Sequence, residues 1–254
     1  MKRSLFLCIL WGLSLCVCSQ DYLRLMTYNV HNAKGIDGKR DIQRIANIIL
    51  DAAPDVVAIQ EVDSMTPRCY SYQLGELAAR TGMYASFAPA LHTVIGRHGI
   101  GVLSKERPTS VKRVRLPGSE EKRALLMAEF EDYIFCSTHL SLTPQDRMKS
   151  LEIIREYAAD SRKPFFVVGD FNDMPDSEFM AKLKKDYEVL NDESEQTFPA
   201  YHPDRTIDYI VSWKPTGAYI AVVDSRVPDE PLASDHRPLV VTLRKAVSPE
   251  EILA

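Results

Sequence analysis

Short apolar segments rich in β-branched and aromatic residues recur along the chain, and they outnumber the segments with helical periodicity. Strands are predicted at residues 22–28, 55–62, 84–88, 101–104, 124–130, 133–138, 165–168, 207–212, 219–223 and 239–243. Helices are predicted at residues 42–49, 73–81, 144–160 and 177–185. Glu131 and Asp132 indicate a hairpin between two strands, so hairpins are mixed with strand–helix–strand units. This order excludes a purely parallel doubly wound sheet.

The first nineteen residues differ from the rest of the chain. Lys2 and Arg3 precede an uncharged apolar run of about 13 residues, which is shorter than the roughly 20 that a membrane span needs. This pattern predicts a signal peptide over residues 1–19, with cleavage after Ser19. Two alternatives stay open: a buried N-terminal strand or helix, and lipoprotein processing at Cys16 or Cys18. The predicted location is therefore secreted or periplasmic, with an outer-membrane lipoprotein as the alternative.

The remaining residues, 20–254, are predicted to form a single domain. The 254 residues include 31 Lys and Arg against 35 Asp and Glu, a net charge of −4. Removal of residues 1–19, which contain two basic and no acidic residues, leaves a net charge of −6. Such a charge disfavours tight duplex binding, because phosphate neutralisation needs clustered basic residues. Nucleic acid is therefore a disfavoured partner, the mature chain has no predicted transmembrane segment, and a monomer is expected.

Cysteine usage argues against a disulfide scaffold. Three of the five cysteines precede residue 20, so Cys69 and Cys136 alone remain in the mature chain. Cys136 lies in an apolar strand-like run and is predicted to be buried, whereas Cys69 lies in a loop-like stretch. A bridge between the two stays open.

Polar side chains follow or interrupt several of the predicted strands. A buried carboxylate or imidazole is costly unless it is paired or binds a metal, so repeated placements of this kind indicate a functional site. The motifs are TYNVHN, IQEVD, CSTHL, VVGDFND, TIDYI and SDHRPL, which contain Asn29, His31, Glu61, His139, Asp170, Asn172, Asp208, Asp235 and His236.

The succession of YN, QE, THL, GDFN, IDY and SDH resembles the endonuclease/exonuclease/phosphatase superfamily, a group of metal-dependent phosphoesterases. The resemblance covers nearly all of the chain after residue 19. It implies an α/β fold of the α+β type: a four-layer αββα sandwich, in which two mixed β-sheets pack face to face with helices outside. This fold agrees with the order of strands and helices predicted above.

The resemblance also implies a metal site. Glu61 would be the main ligand, Asn29 beside it would also belong to the metal site, and Asp235 would orient His236 or reach a second metal position. Hard carboxylate oxygens suit Mg²⁺, with Mn²⁺ as the alternative. His31 departs from the pattern, because nuclease members often have an aspartate there. Without the resemblance, Glu61 would be interpreted as a salt-bridged or helix-capping acid at a strand end.

The remaining motif residues receive catalytic roles from the same resemblance. Asp170 would orient or activate the attacking water, and Asn172 would bind the phosphate or the nucleophile. His236 would contact the scissile phosphate, and His139 would contact the phosphate or protonate the leaving group. Asp208 would support the histidines. Taken alone, Asp170 and Asn172 could instead form a turn that satisfies its own backbone.

Neighbouring residues carry weaker signals. Arg97 and His98, in GRHGIG, are candidate phosphate contacts at the rim of the site. Ser234 and Arg237 are interpreted as loop-forming neighbours. The sequence lacks a GxSxG motif, which argues against a covalent serine hydrolase.

The predicted function is that of a secreted, Mg²⁺-dependent phosphoesterase that hydrolyses phosphate mono- or diesters by in-line attack of water. Small-molecule or lipid-headgroup phosphodiesters are the favoured substrates. A secreted nuclease similar to DNase I is the first alternative. The second is a non-catalytic binding protein with the same fold.

Overall fold

The computed structural model describes residues 22–216 and 219–245. The predicted signal peptide, with its cleavage site and the two cysteines proposed for lipidation, lies outside these residues. None of the helices formed within the two described ranges is long and apolar enough to span a membrane.

Thirteen strands, numbered in chain order, form two mixed sheets within the described residues. They are β1 (Tyr22–Asn29), β2 (Val56–Thr66), β3 (Cys69–Tyr72), β4 (Tyr84–His92), β5 (Arg97–Ser104), β6 (Ser110–Leu116), β7 (Arg123–Glu129), β8 (Ile134–His139), β9 (Phe165–Asp170), β10 (Tyr187–Val189), β11 (Asp208–Trp213), β12 (Tyr219–Arg226) and β13 (Leu239–Lys245). The larger sheet has the order β12-β13-β1-β2-β5-β4, with β3 paired to β2, and the smaller has the order β10-β11-β9-β8-β7-β6. The pairs β1–β2 and β8–β9 are parallel and the others antiparallel.

Within the described residues, four α-helices cover the outer faces of the sheets: α1 (Ile42–Ala52), α2 (Gln73–Thr81), α3 (Pro144–Ala159) and α4 (Glu178–Leu183). Asp41 begins α1 by accepting a hydrogen bond from the backbone N–H of Arg44 at 3.0 Å, which satisfies one of the unpaired N–H groups of the first turn. The helix ends before Pro54. Gly82, with a φ of +71°, ends α2 in the left-handed conformation that glycine adopts without strain.

Side-chain alternation along the strands separates three apolar layers. In β1, Leu25 lies in the core between the sheets, whereas Met26 packs beneath α1 and α2. In β9, Phe166 and Val168 face the same central core, and Val167 packs against α3 and α4. Because successive strand residues point to opposite faces, a strand buried on both sides is apolar throughout. Three cores between four layers confirm the predicted αββα sandwich.

Most predicted elements are confirmed, with differences at the sheet edges. Cys69 lies in the short strand β3 and not in a loop, and both Cys69 and Cys136 are free. The sequence analysis misses β3, β6 and β10. The β6 strand has exposed Lys112, Arg113 and Arg115, and charged edge strands of this kind lack the apolar run that marks a buried strand.

Candidate functional site

The smaller sheet brings His139, Asp170 and Asp208 together. Asp170 ends β9 and pairs in register with His139 on the parallel strand β8 and with Asp208 on the antiparallel strand β11. All three therefore lie at one edge of the sheet. His139 Nε2 lies 3.4 Å from Asp170 Oδ2. Burial and the nearby Arg123 guanidinium lower the pKa of His139 well below its usual range, so this ring is neutral.

His236 lies between two of these carboxylates. Its Nδ1 is 2.9 Å from Asp208 Oδ2, and its Nε2 is 3.6 Å from Asp170 Oδ2. Burial disfavours the charged ring, but the charges of Asp208 and Asp170 outweigh it and raise the pKa of His236 to about 10. Since ionised carboxylates can only accept hydrogen bonds, we assign the Nδ1 proton to the bond with Asp208. The ring is therefore held as a donor at the edge of the sheet.

Asp170 is buried at the centre of this arrangement. Its Oδ1 accepts a hydrogen bond from the backbone N–H of Asn172 at 2.9 Å. Burial raises the pKa of Asp170 to about 7, although the His236 charge opposes the shift. Gly169 precedes Asp170 within β9. A Cβ at Gly169 would lie 1.9 Å from the Thr138 carbonyl oxygen, so the close approach of β8 and β9 requires glycine.

The larger sheet supplies Asn29 and Glu61 from the opposite side. Asn29 ends β1 and donates from Nδ2 to Glu61 Oε1 and to Asp170 Oδ2, each at 3.1 Å. Its Oδ1 accepts from the His31 backbone N–H at 3.1 Å, which fixes the orientation of the amide. Asn29 thus joins the two sheets as a hydrogen-bond donor, and its predicted role as a metal ligand stays a prediction.

Three non-glycine residues of the site have left-handed backbone conformations. Glu61 has a φ of +59° and lies in a register shift between β2 and β5. Asn172 and His31 have φ values of +53° and +45°. Left-handed conformations of non-glycine residues are costly and cluster at functional sites. The strain redirects the Glu61 carboxylate from the sheet into the cleft.

Asp235 reaches the site through the loop before β13. The hydroxyl of Ser234 donates to the Asn29 carbonyl oxygen at 2.7 Å, so the loop is fixed against β1. Asp235 Oδ1 lies 3.6 Å from His31 Nδ1. His31 therefore neighbours Asp235, and Ser234, interpreted from sequence as only a loop residue, positions the loop.

A cleft of about 680 Å³ opens over these groups. Six of the predicted residues line it: Glu61, His139, Asp170, Asn172, Asp235 and His236. His98 also lines the cleft, whereas Arg97 is exposed at the start of β5 and is not among the described residues that form the cleft wall. The sequence analysis misses three arginines of the wall, Arg68, Arg123 and Arg205.

The missed arginines carried little sequence signal because they stand apart from the motifs. Arg123 is 5% exposed, and its Nη2 lies 3.2 Å from Glu120 Oε1. Glu120 is held in turn by the hydroxyls of Ser141 and Thr143 at 2.7 and 3.0 Å. A buried arginine at the start of β7 could have been noticed as a charge within an apolar strand.

Comparison with known proteins agrees with this geometry. The model of the endonuclease/exonuclease/phosphatase family matches residues 26–236. The chain belongs to this family. Members of the endonuclease/exonuclease/phosphatase family are generally phosphoesterases or nucleases, and the family is typically dependent on divalent metal ions. No curated protein matches the sequence significantly.

Several solved structures are similar to this chain over most of its length. An endonuclease/exonuclease/phosphatase from Beutenbergia cavernae DSM 12333 has a TM-score of 0.72 at 25% identity, covering 89% of this chain and 72% of that one. The catalytic domain of human Nocturnin with bound sulfate has a TM-score of 0.66 at 19% identity, covering 89% and 95%. A mannosyl-6-phosphatase from Bacteroides thetaiotaomicron VPI-5482 has a TM-score of 0.65 at 18% identity, covering 87% and 99%. The latter two show the shared fold alone.

The donor set fits the divalent ion that the family implies. Glu61 and Asp235 both line the cleft, and within residues 22–216 and 219–245 neither forms an ion pair with lysine or arginine. Two carboxylates of one cleft without a lysine or arginine ion pair suit a hard cation. Asp170, Asp208 and His236 form a second candidate set, with potential ligand atoms within 4.8 Å of one another. In that set, however, each ring nitrogen of His236 already lies near a carboxylate oxygen, Nδ1 near Asp208 and Nε2 near Asp170.

Proposed function

We propose that this chain is an exported, Mg²⁺-dependent phosphoesterase that hydrolyses phosphate esters of small molecules or lipid head groups by direct attack of water. The observation that carries the proposal is the meeting of both sheets at Asn29, whose amide bonds Glu61 and Asp170 at 3.1 Å each. A candidate metal ligand and a candidate water-orienting group are thereby held beside each other.

Asp170 is the group proposed to orient the attacking water. It ends a strand that is buried on both faces, and hydrogen bonds from Asn29 and Asn172 fix its two oxygens. A carboxylate fixed in this way keeps a bound water at a defined angle to phosphorus, which removes the entropic cost of orienting it during the reaction. No side-chain nucleophile is needed in this scheme.

His236 and Arg123 are proposed to stabilise the negative charge of the phosphoryl oxygens. The His236 ring is held by Asp208 at 2.9 Å, and Arg123 is held by Glu120 at 3.2 Å. Donors fixed before the reaction stabilise the transition state without reorganisation, which is the principal source of electrostatic catalysis. His139, neutral and 3.4 Å from Asp170, is placed to contact the phosphate or the leaving group.

Glu61 and Asp235 are the residues proposed to hold Mg²⁺, with Mn²⁺ as the alternative. When bound, the ion would supply Lewis-acid stabilisation of the phosphate oxygens. Asn29 would keep the Glu61 carboxylate in position through its hydrogen bond. The resemblance in sequence and the hard oxygen donors support this assignment.

The substrate class follows from the size and lining of the cleft. A volume of about 680 Å³ suits a small molecule. Phe198, Leu142 and Ile207 provide apolar wall, and Arg205 and Arg68 are each paired with an aspartate. Together with the net charge of −6 expected after export, this lining disfavours a long duplex as substrate. The basic start and apolar run of residues 1–19 support export.

A substrate panel tests the proposal. The purified mature chain is assayed with Mg²⁺ or Mn²⁺ on bis-p-nitrophenyl phosphate, sugar phosphates, inositol phosphates, phospholipids, RNA and plasmid DNA. We expect turnover of at least one small ester or phospholipid at a rate well above that of plasmid DNA. Rapid cleavage of plasmid DNA would move the nuclease alternative to first place. No turnover of any substrate would favour the non-catalytic binding protein.

A further inference from the structure

A second hydrogen-bonded group of side chains lies in the same cleft, around the buried carboxylate of Asp63. Asp63 Oδ1 lies 2.8 Å from His98 Nδ1 on the neighbouring strand β5. Arg68 donates from Nε to Asp63 Oδ2 at 2.7 Å and from Nη2 to Asp63 Oδ1 at 3.0 Å. Because Asp63 is 0% exposed, its two oxygens act as a rigid anchor for both basic groups.

The anchor leaves one donor of Arg68 unused on the side of the cleft. Asp63 engages Nδ1 of His98 together with Nε and Nη2 of Arg68, and Arg68 Nη2 also lies 3.1 Å from His98 Nδ1. A neutral imidazole that donates from Nδ1 has an acceptor at Nε2, so the unused donor is Nη1 of Arg68, which has no hydrogen-bond partner in the described part of the chain. Both residues line the cleft, and the Arg68 side chain is 48% exposed. If the contacts with Asp63 only stabilised the fold, Arg68 and His98 would not need to line the cleft.

The strand order separates this group from the candidate reaction centre. In the larger sheet β1 is followed by β2 and then by β5, so Asn29 and His98 are two strand spacings apart. With neighbouring strands about 4.8 Å apart, the separation across the sheet is about 10 Å. Asn29 pairs with Gln60, whereas His98 pairs with Asp63 further along β2, so an offset along the strands adds to this separation. Asn29 bonds Asp170, so a phosphate beside Asp170 is separated from the unused donor by about one small substrate.

The ion pairs of Arg68 also differ from those of Arg123, another arginine of the cleft. Arg123 interacts with both Glu120 and Glu121, at 3.2 and 4.0 Å. Arg68 forms an ion pair with Asp63, which it shares with His98, and the charges of Glu61 and Glu121 act on it without forming an ion pair. Arg68 therefore keeps Nη1 available for an anionic group.

We infer that Arg68, held in place by Asp63 and His98, forms a binding subsite for a second anionic group of the substrate. This inference rests on the proposed phosphoesterase function. The substrate class narrows to compact phosphate esters that carry another phosphate or a carboxylate on the order of 10 Å from the ester that is cleaved. Arginine suits such a group because its planar guanidinium can still present N–H donors after it has bonded Asp63.

The test compares two non-hydrolysable ligands, phenylphosphonate and 4-carboxyphenylphosphonate, by calorimetry with Mg²⁺ present. We expect the wild-type protein to bind the carboxylated ligand about tenfold more tightly or better, as one charge-assisted hydrogen-bonded contact allows. Arg68→Gln should remove most of this preference. His98→Gln should reduce it, and this variant replaces Arg68→Gln if the latter fails to fold.

Arg115→Gln is the matched control. It removes the same charge from an exposed position on β6, away from the cleft, and should keep the preference. Equal affinity of the wild-type protein for the two ligands, binding of neither, or an unchanged preference in folded Arg68→Gln would overturn the inference.

Hydrolysis of phenyl phosphate and 4-carboxyphenyl phosphate by the same preparation separates the two proposals. A binding preference without any hydrolysis would contradict the phosphoesterase function and leave the subsite in place. Hydrolysis of both esters without a binding preference would contradict the subsite and leave the function in place. A separate bisphosphate ligand, 1,4-phenylene bisphosphonate, distinguishes a second phosphate from a carboxylate as the preferred group.

Discussion

Asp63 and Asp170 are two buried carboxylates of one cleft, and their charges are controlled in opposite ways. Their exposed fractions are 0% and 1%. Burial favours a raised pKa for Asp63, but the hydrogen bonds from His98 and Arg68 hold the pKa well below its usual range. At Asp170, burial prevails and raises the pKa to about 7. The contacts explain the difference, because Arg68 bonds Asp63 at 2.7 Å whereas the nearest imidazole nitrogen lies 3.4 Å from Asp170.

This contrast teaches that burial alone does not decide the role of a polar group. A carboxylate with a guanidinium fork is a permanent anion, which suits an anchor. A carboxylate without one can respond to what binds beside it, which suits a reaction centre. Environments that push the pKa values of neighbouring acids apart are typical of enzymes that assign different tasks to the same residue type.

The largest effect is expected for Asp170→Asn. The amide keeps the shape of the side chain but orients water poorly, so kcat/KM should fall by about 10²-fold or more. Steady-state assays on bis-p-nitrophenyl phosphate with saturating Mg²⁺ measure the loss. Asp176→Asn, a nearby exposed substitution outside the cleft wall, is the control and should be unaffected. An Asp170→Asn variant with wild-type kcat/KM would show that the buried acid is structural.

A loss of similar size, on the order of 10²-fold in kcat/KM, is expected for His236→Ala, because the ring held by Asp208 is proposed to stabilise phosphoryl charge. The double variant with Asp170→Asn should lose less than the product of the two single losses, since both groups act on one transition state. The same phosphodiester assay decides this. If His236→Ala keeps nearly the wild-type kcat, the contact between Asp208 and His236 only closes the last strand.

The two substitutions should affect the stability of the fold in the reverse order, with Asp63→Asn more destabilising than Asp170→Asn. Asp63→Asn leaves Arg68 and His98 without their anchor and should lower the free energy of unfolding by about 1–3 kcal/mol, less than for a fully buried pair because Arg68 is half exposed. Asp170→Asn should change it little or raise it, because an amide costs less to bury than a carboxylate. Denaturant unfolding in metal-free buffer measures both. Greater destabilisation by Asp170→Asn than by Asp63→Asn would contradict the assignment of Asp63 as the structural anchor.

A smaller effect on the apoprotein is expected for Glu61→Gln. The side chain is proposed to bind metal and not to support the fold, so the melting temperature without metal should change little. Added Mg²⁺ stabilises the wild-type protein by binding the native state, and this increase should be lost in the variant. Thermal unfolding with and without Mg²⁺ provides the readout. A large drop in metal-free melting temperature would favour the salt-bridged or capping role considered from the sequence.

The sequence predicts the parts of this molecule that depend on local pattern. Apolar strands, the helix from Pro144 and the residues that follow strand ends are all visible in it. Charged edge strands such as β6 escape prediction because pairing with β7, and not an apolar run, holds them in the sheet.

The sequence predicts only those site residues to which the motifs assign a role. GDFN and SDH identify Asp170, at the end of β9, and His236, in the loop before β13. Asp63 is the last residue of IQEVD but has no role in the resemblance, Arg68 lies outside the motifs, and their contact with His98 exists only because β2 pairs with β5. The amide orientation of Asn29, which makes it a donor to two carboxylates, likewise depends on tertiary contacts.

Metal-dependent hydrolysis is the most direct test of the account. The protein is stripped with EDTA and assayed on bis-p-nitrophenyl phosphate before and after addition of excess Mg²⁺, with Asp170→Asn in parallel. We expect EDTA to abolish turnover, Mg²⁺ to restore it in the wild-type protein, and Asp170→Asn to stay at least about 10²-fold below it. Undiminished turnover in EDTA, or equal turnover by Asp170→Asn after Mg²⁺ is added, would show that the reaction does not depend on the metal or on this carboxylate, respectively, as proposed.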